Sequence, residues 1–270
     1  MSFPSSSTAF SRSTCEYPDI TRNWLYDSGW KMRYRSGYDR NGFGVHPNVT
    51  SFTMHEEAHT QAGKVIRDLY SLGKYHGYAG ISRSYQWTGL AGAKVCKPGY
   101  HRYGAAIDFT RFDWGSDCFV DTAVHGKARR YLRRRYLAVI ATCRKHFGIV
   151  LHCHNDPDGS HWNHIHVDRG RKAVAMNWGW ETDTTIIQWA ARDLAGVEGL
   201  AIDGDFGPKT GEAFKVLRSR FGAEDCDPTA SNTNTMIWLN LIGRHGMTDQ
   251  DAGTYQVNDI ERHDATAARD

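Results

Sequence analysis

The chain has no apolar run long enough to cross a membrane as a helix, which excludes a helical membrane-spanning protein. Its six cysteines, Cys15, Cys96, Cys118, Cys143, Cys153 and Cys226, form no C-x-x-C pair, so the signatures of a thiolate zinc ribbon and of a dithiol redox centre are missing. Six cysteines still allow fifteen complete disulfide pairings, among which the sequence does not choose. Cys153 lies between His152 and His154, but strand alternation turns it away from both, and it reads as structural. The N-terminal MSFPSSSTAFSRST lacks the apolar centre of a secretory signal. The expectation is a signal already removed, or release by lysis of the phage type. Excess charge is also small, at +3. No recognition motif or aromatic stacking pattern accompanies the basic residues, which argues against nucleic acid as a partner.

Histidine, in contrast, is grouped. HRYGAAID at 101–108 and HWNHIH at 161–166 together offer two imidazoles and a carboxylate, enough for a divalent metal that keeps one position for water. AIDF at 106–109 and HIHV at 164–167 read as short strands, so His164 and His166 share a face while Ile165 and Val167 face a core. One histidine can then ligate the metal and the other serve the substrate. Gly104 and Ala105 keep the backbone between His101 and the strand small and flexible enough to bring both ligands to one ion.

At these residues the chain resembles the D-Ala-D-Ala metallopeptidase superfamily of peptidoglycan-cleaving zinc enzymes, and 80–169 is most similar to its extensin-like C-terminal branch. The likeness extends through GISRSYQ at 80–86 and through YLRRRYLAVIATCRKHFGIVLHCHNDPDGSHWNHIHVD at 131–168. It implies zinc held by His101, Asp108 and His166, with Arg83 on a substrate carboxylate or the developing oxyanion. Relatives commonly carry an acidic base just before the His-x-His, where this chain has Asn163. An amide cannot take that proton. His164 and His161 are then the nearest candidates for proton transfer, with Asp156 and Asp158 in the preceding loop as further ones.

A second motif competes. HEEAH at 55–59 fits H-E-x-x-H on a helix whose apolar stripe runs Ala58, Ala62, Val65, Ile66, Leu69, Leu72. No third histidine follows at the expected spacing, and an ordinary helix with surface histidines is the better account. Six basic residues between Lys127 and Arg135, followed by Arg144 and Lys145, occupy one face of another expected helix. That face reads as solvated, with attraction of anionic wall polymers as the competing account.

In the C-terminal third, Ile186, Ile187, Ala190 and Leu194 mark one helix; Pro208 then starts another through Ala213, Phe214, Leu217 and Phe221. IDGDFGPKT at 202–210 resembles the repeat of the three-helix peptidoglycan-binding domain, for which 236–242 supplies a third helix. At 270 residues, 40% of them hydrophobic, the chain can bury one substantial core and a small satellite.

The expected organisation is α+β. Residues 1–50 form an irregular segment ending in a loop; 51–172 form a zinc peptidase domain with a small antiparallel sheet and flanking helices; 181–245 form the helical wall-binding module; 246–270 form a polar tail. The expected function is zinc-dependent hydrolysis of an amide bond in the stem peptide or cross-link of peptidoglycan by a monomer. Carboxypeptidases and endopeptidases share this shell, and an attached wall-binding module favours an endopeptidase. The alternative from another class is a non-catalytic wall-binding or virion protein on a zinc hydrolase fold, which Asn163 favours.

Overall fold

The computed structural model describes residues 19–26, 29–39, 42–75, 85–95, 99–115, 118–155, 159–170 and 174–247. The architecture is α+β. Strands β1 (Asp19–Arg22), β2 (Lys31–Asp39), β3 (Gly42–Val49) and β4 (Phe52–His55) precede helix α1 (Glu56–Tyr75). Strands β5 (Trp87–Gly92), β6 (Ala106–Asp113) and β7 (Phe119–Asp121) lead to α2 (Arg130–His146). Strands β8 (Ile149–Leu151) and β9 (Ile165–Asp168) then give way to α3 (Glu181–Asp193), α4 (Pro208–Phe221) and α5 (Asn232–Met247). No described helix is long and apolar enough to cross a membrane.

The sheet differs from the small antiparallel one expected. Among the described residues it has seven strands in the order β3-β2-β5-β6-β9-β8, with β7 also on β6, and it is mixed because β2 and β5 run parallel. A parallel neighbour requires a long crossover, which the chain makes through β3, β4 and α1. The segment expected to be irregular therefore supplies strands, and GYDRNGFGVHPN, read as loop, contributes its first residues to β2 and its residues from Gly42 on to β3, with Asp39 opposite Gly42. β1 pairs with β4 in a separate two-stranded sheet.

Strand β6 lies at the centre of the sheet. Ala106, Ile107, Phe109 and Phe112 are fully buried along it. Helix α1 lays Ala58, Ala62, Val65, Ile66 and Leu69 into the core, as their 3.6-residue spacing predicts. Helix α2 is buried from Arg134 to Arg144 because α1, α3 and α5 all pack on it. The helices expected at 181–245 are present, and their apolar residues, from Ile186 to Ile242, join the same hydrophobic cluster as the sheet. α5 runs so close to α2 that a Cβ on Gly246 would come within 2.5 Å of the Arg134 carbonyl oxygen.

The basic face of α2 is solvated only at its start, where Lys127, Arg129 and Arg130 are exposed, and is buried further along at Arg134, Arg135 and Arg144. Arg133 forks onto Asp193 at 2.7 and 2.8 Å, Arg144 forks onto Asp183 at 2.7 and 3.1 Å, and Lys145 reaches Asp68 at 2.6 Å. Arg130 and Arg134 both donate to the backbone carbonyl of Asp193. These charges attach α2 to α3 and α1. Cys118, Cys143, Cys153 and Cys226 are free thiols. Cys15, Cys96 and the tail beyond 247 lie outside the described residues.

Candidate metal centre

Antiparallel pairing of β6 with β9 sets Asp108 directly opposite His166, so the two side chains stand on the same face of the sheet. On the other flank of β6, Gly92 of β5 is the register partner of Asp108 and adds no side chain there. His101 comes from a 3-10 turn, Tyr100–Tyr103, that closes on Gly104 in the left-handed conformation, φ 65°. A Cβ at Gly104 would lie 2.6 Å from the backbone nitrogen of His55, which donates to the Gly104 carbonyl at 3.0 Å. Glycine is thus required by both the turn and the close passage of β4, and the turn delivers His101 over the β6–β9 ladder.

His101 Nε2 is 3.0 Å from Asp108 Oδ1 and 3.2 Å from His166 Nδ1, and His166 Nδ1 is 2.8 Å from the same carboxylate oxygen. Two further contacts determine the tautomers. His101 Nδ1 faces the Ala93 carbonyl at 2.5 Å, and His166 Nε2 faces Asp168 Oδ2 at 3.2 Å. Carbonyl and carboxylate oxygens only accept, so those ring nitrogens carry the protons. The neutral rings then turn lone pairs toward a carboxylate that also offers only lone pairs. Such a convergence calls for a cation. Without a metal it is a proton: burial opposes charging His166, but its hydrogen bonds to Asp108 and Asp168 outweigh that and raise it to about 9. Burial likewise opposes ionisation of Asp108, yet hydrogen bonds from His101 and His166 hold it well below the usual carboxylate range.

The same atoms suit a metal. Tetrahedral zinc with bonds of about 2.0–2.1 Å places neighbouring ligand atoms about 3.3 Å apart, close to the 2.8–3.2 Å separations found. His101, Asp108 and His166 are the group able to hold a metal ion among the described residues.

Two more imidazoles border this triad. His164 Nδ1 donates to Asn163 Oδ1 at 2.8 Å, which turns Nε2 toward Asp108, 3.6 Å from Oδ1. The His161 ring centroid is 5.0 Å from that of His164 and 5.2 Å from that of His166, and Ser160 Oγ is 2.9 Å from His161 Nδ1. Thr122 Oγ1 donates to the Asn163 carbonyl at 2.8 Å and ties this loop to the strand end beside β6. Ile165 and Val167 are fully buried, as the alternation predicts. Arg83, Asp156 and Asp158 lie outside the described residues.

The HEEAH histidines do other work. His59 is buried rather than on the surface, and Nε2 donates to the Trp24 carbonyl at 3.0 Å, while His55 sits at the end of β4 and its Nδ1 accepts from the Glu57 amide. Asp168 was not singled out from the sequence, although its position two residues after His166 places it on the same strand face. The Ala93 carbonyl has no sequence signal, since any residue supplies one.

No family model, curated protein or solved structure matches this chain.

Proposed function

We propose that the chain is a zinc-dependent peptidoglycan peptidase that cleaves an amide bond in the stem peptide or cross-link of the bacterial wall. The observation that carries the reading is the convergence of three lone-pair donors, His101 Nε2, Asp108 Oδ1 and His166 Nδ1, with both imidazole tautomers held from behind. Zinc bound by these three residues would supply Lewis acidity toward water and a scissile carbonyl. Asp108 and the unprotonated ring nitrogens of His101 and His166 would hold the ion; Asp168 and the Ala93 carbonyl keep those nitrogens turned inward.

Proton movement falls to the neighbouring histidines. His164, oriented by Asn163, presents Nε2 on the Asp108 side, where an imidazole can take a proton from water and return it to the leaving amine. His161 stands beside it as the second candidate. Arg83 is assigned to a substrate carboxylate or the oxyanion on the resemblance alone. The wall as substrate is supported by two resemblances, that of 80–169 to the peptidase superfamily and that of 202–210 to the wall-binding repeat.

The test is incubation with purified peptidoglycan, with added zinc or with a chelator, and mass spectrometry of soluble products. Chelator-sensitive release is expected, with loss in His166→Ala at retained fold; undiminished release by that variant overturns the assignment. Asn163 in place of an acidic base supports a second reading, a wall-binding protein without turnover. Binding to insoluble walls with no released fragment, across several wall chemistries, would establish that reading instead.

A further inference from the structure

Away from the metal centre, a groove of about 510 Å³ opens between the start of α2 and the end of α3, within the usual range for ligand sites. Its lining includes Lys127, Arg133, His154 and Arg192 and contains no carboxylate side chain. The carboxylate of Asp193, whose side chain is 2% exposed, takes the Arg133 fork, the Trp189 indole N–H at 2.7 Å and a longer bond from Arg192 Nε at 3.4 Å. Three cationic side chains thus line the groove, and two of them, Arg133 and Arg192, bond to the Asp193 carboxylate. The side chains lining the groove are therefore net positive, and among them Lys127 is exposed and forms no ion pair with another described residue.

His154 adds a polar atom of a different kind. Its Nε2 is buried and has no hydrogen-bond partner among the described residues, although the ring lines the groove and packs edge-on against Trp189 at 4.5 Å. Burial, and after it the Arg192 charge, pushes this histidine down to about 4, so it stays neutral beside the three cations and does not add to their repulsion. A buried ring nitrogen without a partner costs stability unless something at the groove satisfies it.

We infer that this groove is a binding site for a phosphate group, as the free ion or as the phosphodiester of an anionic polymer, held by Lys127 and Arg192 over the Arg133–Asp193 pair. Inorganic phosphate, with a charge of about −1.5 to −2, suits this net positive lining better than a single carboxylate, whereas a phosphodiester carries one charge per group and is favoured by the neighbouring groups along its polymer. Its several acceptor oxygens can also take an ammonium and a guanidinium from different directions. The site is distinct from the metal centre, since none of His101, Asp108, His161, His164 and His166 lines the groove.

The test is equilibrium dialysis of the full chain against radiolabelled inorganic phosphate, and separately against a glycerol phosphate polymer, at constant ionic strength. A chelator is present throughout, so that phosphate on a metal does not contribute and the result is independent of the peptidase reading. Saturable binding of either probe is expected, weakened at least tenfold in Lys127→Glu/Arg192→Glu and kept in Lys209→Glu/Arg220→Glu, which makes the same change in net charge on the exposed face of α4. Free phosphate alone would identify an ion site; the polymer alone, or the polymer much more tightly, would identify a phosphodiester site. Absence of binding overturns the inference, as does equal loss in the two double variants. Should the first variant fail to fold, Lys127→Ala at an exposed position replaces it, with a severalfold loss expected and no loss overturning the assignment.

Discussion

Asp168 Oδ2 lies 3.2 Å from His166 Nε2, on the opposite side of the ring from Asp108, which lies 2.8 Å from Nδ1. One carboxylate thus selects the proton position on an imidazole whose other nitrogen faces the candidate metal site. Replacing Asp168 by Ala removes that selection while leaving the three ligands in place. Zinc affinity, read by competition with a chromophoric chelator, is expected to fall roughly 10–100-fold. Unchanged affinity would show that Asp168 serves only its second bond, from the Gly170 amide to Oδ1.

Gly104→Ala places a Cβ 2.6 Å from the His55 nitrogen at a φ of 65°. The left-handed conformation alone costs an L-residue roughly 1–2 kcal/mol, and the collision adds to it. Urea unfolding should show a loss of at least that size, together with weaker zinc binding because the turn carrying His101 must move. A variant of wild-type stability would mean that β4 and the turn separate freely.

The Arg144–Asp183 pair joins α2 to α3 with side chains 1% and 0% exposed. Asp183→Ala leaves a buried guanidinium without its partner and should cost about 3–5 kcal/mol. Arg144→Met/Asp183→Leu removes both charges and should recover most of that loss. Chemical denaturation of the three proteins decides it; a small effect in the single variant would place the pair in contact with water.

His125 Nδ1 accepts a hydrogen bond from the Asp121 amide at 3.2 Å, which requires that nitrogen to be unprotonated. Burial, then the charges of Arg135 and Arg111, lowers His125 to about 4. The unfolded chain takes up the proton near 6.5, so the folded state binds fewer protons between the two values. The contribution to stability is complete above 6.5 and is lost as pH falls toward 4, by at most about 1.4 kcal/mol per pH unit. In His125→Gln the unfolding free energy should fall less steeply over this interval; an identical slope would remove His125 from the acid response.

The cluster of His101, Asp108 and His166 was legible because its signal is local. Six residues separate His101 from Asp108, and strict alternation places His166 on one face with Ile165 and Val167 on the other. The apolar stripe of α1 and the Pro208 start of α4 were legible for the same reason, since periodicity and a fixed proline φ act over a few residues. The β2–β3 hairpin was not, because GYDRNGFG carries the glycines and polar residues of a loop and becomes strand only when Lys31–Tyr34 pairs in parallel with Trp87–Leu90.

The sequence by itself determined the donor set, the faces of the short strands and the helices that bury apolar stripes, all properties of neighbouring residues. Tertiary structure alone decided that Asp108 stands opposite His166, that the Ala93 carbonyl and Asp168 set the ring tautomers, and that His59 is tied to Trp24 rather than to a metal. It also decided the fate of the α2 charges. A guanidinium has the same pattern along the chain whether it meets water or a carboxylate, and only packing brought Asp193, Asp183 and Asp68 within reach of Arg133, Arg144 and Lys145.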